Sequence, residues 1–134
     1  MAESFQFELV SPESLLMSEP VEQVVVPGSE GQFTVMAGHA PFMTTMRPGI
    51  IDIVRGNSTT RIFVRGGFAD ANAAGLTVLA EMAVPASELN PAQIAQEVKN
   101  AEEDVADAKD GPTKDAAEHR LQQLKEVQAA LIEG

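Results

Sequence analysis

The sequence predicts a mainly β sandwich of about ten strands over residues 1–86, followed by an antiparallel two-helix hairpin over residues 87–134. Three observations carry that expectation. All six phenylalanines and eight of the ten glycines precede Pro85, so the composition changes there. Before that point, short apolar runs are divided by glycine and proline, the pattern of short strands joined by tight corners. After it, aromatic residues cease and apolar residues recur at spacings of three and four, the pattern of amphipathic helices.

Phe5, Phe7 and Leu9 alternate with Gln6 and Glu8, which predicts a half-buried first strand. Ser11-Pro12-Glu13 breaks it, and Leu15-Leu16-Met17 forms a second short apolar run. Val21 to Val26 is β-branched enough to read as one strand inside a sheet. The stretch from Val24 to Gly49 holds four glycines and three prolines, with corners at Pro27 to Gly31 and at Ala37 to Pro41. Glycine permits positive φ and close backbone approach, whereas proline fixes φ and ends pairing. Between those corners Gln32 to Met36 alternates, with Phe33 and Val35 on one face. Ile50 to Arg55 and Thr59 to Arg65 flank Gly56-Asn57-Ser58, a hairpin signature. Gly66-Gly67 opens Phe68 to Ala71, and a turn at Asn72 to Gly75 leads to Leu76 to Leu79.

Asn90-Pro91-Ala92-Gln93 predicts a helix start, with Asn90 as cap and Pro91 at the first helical position. Ile94, Val98, Ala101, Val105 and Ala108 then form one apolar stripe. Asp110-Gly111-Pro112-Thr113 ends that helix, and Thr113 is expected to cap a second one with the stripe Ala117, Leu121, Leu124, Val127 and Leu131. Each helix would be about 28 Å long at 1.5 Å per residue. So short a loop makes them antiparallel neighbours. The stripes are thin and rich in alanine, so the hairpin is expected to be weakly held and able to rearrange on binding.

Composition excludes several function classes. The chain has no cysteine, so it has neither disulfides nor thiolate metal sites. Its formal net charge of −11 disfavours nucleic acid and anionic lipid, which need clustered cations. No apolar run approaches the roughly 20 residues needed to span a bilayer, so direct membrane insertion is not expected. The two histidines, His39 and His119, lie in different parts and lack metal-ligand spacing. Gly28-Ser29-Glu30-Gly31 is no phosphate loop, because no Gly-Lys-Ser/Thr follows and Glu30 would repel phosphate. Glu102-Glu103-Asp104 reads as a solvated helix face. Ser11, Ser14 and Ser18 have no base arranged beside them, and His39 suits holding its corner by bonding backbone. Arg47, Arg55, Arg61 and Arg65 are the first part's only cations; they read as solvated or paired across strands, with a partner-docking strip as the alternative. Neither a catalytic constellation nor a metal or cofactor site is expected. An interaction subunit fits better than an enzyme, and without tryptophan or tyrosine the chain lacks platforms for carbohydrate.

In this order and spacing, Val26-Pro27-Gly28-Ser29-Glu30-Gly31, Gly38-His39-Ala40-Pro41, Arg47-Pro48-Gly49, Gly66-Gly67-Phe68, and Val78-Leu79-Ala80 with Ala83 are specific. They closely resemble the ε subunit of bacterial F-type ATP synthase, whose mitochondrial counterpart is called δ. The resemblance covers essentially the whole chain, with the hairpin matching in pattern more than in residues. It implies a non-catalytic subunit of the rotating central stalk, peripheral on the cytoplasmic face of a bacterial inner membrane. Its partners would be the γ subunit and the c-ring, with the α and β subunits in reach of the hairpin. Carried over, the ring-facing loop is Ser29, Glu30, Gly31 and Gln32, and Ser11, His39 and Thr44 face or lie close to γ. The family's ATP motif, Ile/Leu-Asp-x-x-Arg-Ala, falls on Ile94 to Lys99, where its Asp is Ala95 and its Arg is Val98. Without that arginine the bidentate phosphate donor is lost, so no ATP site is expected. An ATP-sensing regulatory module is therefore the second reading, behind the coupling subunit.

Overall fold

The computed structural model describes residues 3–133, so the terminal residues 1, 2 and 134 of the two predicted parts lie outside the described residues. Ten strands precede two α-helices: β1 (Phe5–Val10), β2 (Leu15–Val21), β3 (Gln23–Gly28), β4 (Gly31–Met36), β5 (Phe42–Thr45), β6 (Gly49–Arg55), β7 (Ser58–Arg65), β8 (Phe68–Asn72), β9 (Gly75–Leu79), β10 (Met82–Pro85), α1 (Pro91–Asp107) and α2 (Pro112–Glu133). The strands build two five-stranded sheets, ordered β2-β1-β9-β8-β5 and β10-β7-β6-β3-β4. Every pairing is antiparallel except β1 with β9, which run parallel.

Alternation decides which side chains enter the core between the sheets. Phe7 and Leu9 of β1, Ala69 and Ala71 of β8, and Leu76 and Val78 of β9 point inward from one sheet. Val24 and Val26 of β3, Val35 of β4, Ile51 and Ile53 of β6, and Ile62 and Val64 of β7 answer them from the other. Each fully buried Val, Leu, Ile or Phe contributes roughly 1.5–3 kcal/mol, so this layer is the chief source of the sandwich's stability.

Three local expectations are corrected. Val21 to Val26 is not one strand: the chain changes sheets at Glu22, leaving Val21 in β2 and Val24 and Val26 in β3. Both valine sets still face the core, because the crossing preserves burial while exchanging partners. Pro27 and Gly28 do not form the corner but remain in β3, and the turn is Ser29-Glu30, closed by Gly28 opposite Gly31. The contact that Arg47 makes with Pro27 uses the proline carbonyl, which accepts the Arg47 N–H at 3.0 Å and asks for no N–H from proline. Strands β5 and β10 were not individually foreseen; each is four residues long and paired along one edge only. The β6–β7 hairpin turns at Gly56-Asn57 with Gly56 at φ +57°, the residue type a two-residue loop requires there.

The registers define two ends of the sandwich. One end gathers Phe5, Val21, Met36, Phe42, Asn72 and Arg55. The other gathers Val10, Leu15, Gly28, Thr45, Gly49 and Leu79. Here Gly28, while still paired with Gly31, also bridges to Met46 just after β5. That seam ties the two sheets together at this end.

The chain divides into two compact units, Met1–Ala86 and Ser87–Gly134. Asn90 caps α1 as expected: its Oδ1 accepts the N–H groups of Ala92 at 2.9 Å and Gln93 at 3.1 Å. Ile94, Val98 and Ala101 are the buried positions of α1, and α1 packs against α2. Thr113 is not the cap of α2, because Pro112 already occupies the first helical position and Gly111 O accepts the Asp115 N–H at 3.0 Å. Val127 and Ala130 are buried on α2, whereas Leu121, Leu124 and Leu131 are only half-buried.

Candidate interaction surfaces

Ser29, Glu30, Gly31 and Gln32 are all exposed, at the tip of the β3–β4 hairpin. The tip is nevertheless fixed at its base. Ser29 N–H donates to Thr45 O at 2.9 Å, and Ser29 Oγ–H donates to the same oxygen at 3.0 Å. Phe33 meets Phe42 edge-on, with ring centroids 4.9 Å apart, and so packs β4 against β5 from the side. A rigid base with a short polar crown suits contact with another protein's polar loop.

The outer face of the sheet containing β1 carries a second surface. Because Leu9, Ala69 and Val78 point inward, their neighbours Val10, Phe68 and Leu79 point outward. The register places Phe68 opposite Leu79, Leu79 opposite Val10, and Val10 opposite Leu15. One apolar row therefore crosses β8, β9, β1 and β2. Leu15 is 56% exposed and Leu79 36%, although each is large enough to fill a core position. The next row, Asp70, Thr77, Glu8 and Ser18, is polar. An apolar strip with a polar margin is the arrangement of a docking surface.

The predicted γ-facing residues are not brought together. Ser11 directly follows Val10 at the end that carries the hairpin tip, and Thr44 lies on the edge strand β5 beside Thr45. His39 lies at the opposite end, beyond Met36. Its Nδ1 is 2.9 Å from Met36 O, and its ring meets Phe5 edge-on at 5.8 Å. A bond to that carbonyl requires the proton on Nδ1, because the carbonyl can only accept. His39 thus holds its corner, as the sequence suggested. Among the described residues, no group of His, Cys, Asp or Glu is arranged to hold a metal ion.

Arg55, Arg61 and Arg65 each have a defined partner. Arg61 Nε donates to Asp52 Oδ1 at 3.0 Å, directly across β6 and β7. Arg55 pairs with Glu19 of the other sheet and donates to Thr60 Oγ1 at 2.7 Å. Arg65 lies over the Phe63 ring, 5.4 Å from its centroid, and donates to Met82 Sδ at 3.2 Å. The structure accounts for these three as cross-strand and inter-sheet contacts. The Glu19–Arg55 pair was missed in the sequence, since its partners stand 36 residues apart with no local pattern.

Residues 4–86 match the family described as ATP synthase, Delta/Epsilon chain, beta-sandwich domain. The chain belongs to that family. It is 52% identical over 128 residues to the ATP synthase epsilon chain of Parvibaculum lavamentivorans, covering 95% of this chain and 97% of that one. It is 50% identical over 133 residues to the ATP synthase epsilon chain of Mesorhizobium japonicum, covering 98% of each. A chain of the Euglena gracilis mitochondrial ATP synthase, in a structure of OSCP, F1 and c-ring, has the same fold at TM-score 0.79 and 24% identity, covering 98% of this chain and 83% of that one. As a delta/epsilon-family chain it is a non-catalytic subunit of ATP synthase. No helix among the described residues is long and apolar enough to cross a membrane.

Ala95 and Val98, the positions that the resemblance implies for the family's ATP motif, lie on α1. Ala95 is exposed on α1, and Val98, where the motif has arginine, is buried at 7% exposure within the apolar stripe. The chain has an apolar contact where phosphate recognition would need a cation.

Proposed function

We propose that this chain is the central-stalk subunit that couples c-ring rotation to ATP synthesis catalysed elsewhere in a proton-translocating F-type ATP synthase. The single observation that carries this reading is the adjacency of two unlike surfaces at one end of a stiff sandwich. The polar tip Ser29 to Gln32 suits the loops of the c-ring, and the apolar row through Leu79 suits the γ subunit. Relatives named ATP synthase epsilon chain support the reading, as does the likeness to a chain solved with a c-ring. Ser11 adjoins the row, whereas Thr44, opposite the inward-facing Ala69, lies on the other face of β5. A γ contact that also includes His39 extends from this end of the sandwich to the other, where His39 meets Phe5 of β1. The protein then sits peripherally on the cytoplasmic face of a bacterial inner membrane.

The hairpin contributes little to this function. Inhibition by extension along the stalk would set a basic helix against an acidic segment of the β subunit. In α2, Lys114, Arg120 and Lys125 face a near-equal number of acids in Asp115, Glu118, Glu126 and Glu133. Such balance leaves little electrostatic attraction. Removing residues from Asn90 onward should therefore leave assembly and ATP synthesis largely intact in membrane vesicles, with little rise in hydrolysis. A large rise in hydrolysis would assign the hairpin an inhibitory role.

The ATP-sensing reading is the weaker one, because Val98 offers no donor to phosphate. Isothermal titration with micromolar ATP should give no saturable heat. Saturable binding in that range would reinstate it.

A further inference from the structure

We infer that Ser29 and Thr45 form a strap that fixes the hairpin tip to strand β5, so that Ser29 positions the tip and Glu30 to Gln32 alone are offered outward. The proposal deepens, and rests on, the reading of this tip as ring-facing.

The geometry centres on one carbonyl. Thr45 O accepts Ser29 N–H at 2.9 Å, Ser29 Oγ–H at 3.0 Å and Thr44 Oγ1–H at 3.1 Å. With the Ser29 hydroxyl proton spent on that carbonyl, Thr45 Oγ1 is the donor to Ser29 Oγ, at 2.5 Å. Both hydroxyls of the pair are thereby committed within the chain. The backbone around them is equally tied: Gly28 bridges Met46, Arg47 N–H donates to Pro27 O at 3.0 Å, and Met46 N–H donates to Gly67 O at 3.1 Å.

Position gives the strap its consequence. Ser29 belongs to the tip of one sheet, whereas Thr45 closes β5 of the other. Thr45 is opposite Phe68, which begins the apolar row, and the same carbonyl holds the Thr44 hydroxyl. A lateral force on Glu30 to Gln32 therefore enters the row-bearing sheet through Thr45, without first crossing the core. Both residues are exposed, so each hydroxyl bond is worth a modest amount, and the pair acts by direction more than by strength.

The test uses the full chain for amide exchange and the assembled complex in inverted membrane vesicles for coupling. Thr45→Val, which removes only the bond between the two hydroxyls, should speed exchange at the amides of residues 29–31 by about fivefold, the size of one net hydrogen bond, and Ser29→Ala, which also removes the bond to Thr45 O, by about 25-fold. The double variant should match Ser29→Ala, Ser29→Thr should stay near the parent, and core amides at Ile51 and Val64 should not change. The ratio of ATP-driven proton pumping to ATP hydrolysis should fall with the exchange protection and recover in Ser29→Thr. Unchanged exchange in either single variant, or additive effects in the double, overturns the strap. Lost coupling with unchanged exchange also overturns it and makes Ser29 a direct ring contact. Faster exchange with unchanged coupling leaves the strap in place and instead contradicts the ring-facing reading of the tip.

Discussion

Replacing Leu79 by aspartate should weaken binding to the γ subunit by about a hundredfold while leaving the sandwich folded. Leu79 stands at the middle of the apolar row, opposite Phe68 on one side and Val10 on the other. Burying a leucine in an interface contributes about 1.5–3 kcal/mol. A carboxylate in its place adds the cost of desolvating a charge without a partner, so a loss of at least about 3 kcal/mol, or a hundredfold, follows. The free chain already exposes 36% of this residue and packs its core from the opposite face, so folding pays little for the change. Titration of γ against the full-length variant, beside its thermal midpoint, checks both halves. Leu79→Met should bind nearly as the parent does, because it keeps the apolar volume. Equal binding by the aspartate variant would place γ elsewhere on the molecule.

The second large effect is structural. Gly67→Ala should destabilise the sandwich by at least about 3 kcal/mol, because a left-handed residue acquires a side chain and also collides with backbone. Gly67 has φ +89°, and a Cβ there would lie 1.7 Å from Leu79 O. That oxygen is main chain and cannot swing aside. For a domain of this size the midpoint should drop by roughly 12–24 °C. Gly38→Ala provides the control: φ is +82°, but nothing lies within 4 Å of its Cβ. Only the conformational cost of about 1–2 kcal/mol should appear there. Equal losses at the two positions would mean that backbone conformation, and not the close approach over Leu79, sets the cost.

The two examples show what the sequence made legible and what it did not. Turn chemistry is local, so Gly56-Asn57 and the Asn90 cap announced themselves through residue type. Core-facing alternation in β1 and β4 was equally readable, because period two is written into neighbouring residues. The change of sheet at Glu22 was hidden because valines suit either sheet, and nothing in Val21 to Val26 marks where partners are exchanged. Pro27-Gly28 looked like a corner on composition, yet pairing with Gln32 and Gly31 keeps it within a strand and Gly28 adds a long-range bridge to Met46. The apolar row was unreadable for the same reason. Val10, Leu15, Phe68 and Leu79 become neighbours only through registers that join distant segments, including the parallel β1–β9 pair. The Ser29–Thr45 bonds likewise span 16 residues with no motif to mark them. Resemblance named the tip and the family; geometry was needed to see which parts of the tip face outward.

The central claim is that this chain works as a rotor subunit seated between γ and the c-ring. The most direct measurement is affinity purification of the tagged full-length chain from detergent-extracted membranes at low salt. The account predicts that γ and the c-ring copurify with the parent chain and that γ is lost with Leu79→Asp. Recovery of the parent chain only as a free monomer, with neither subunit present, would contradict it.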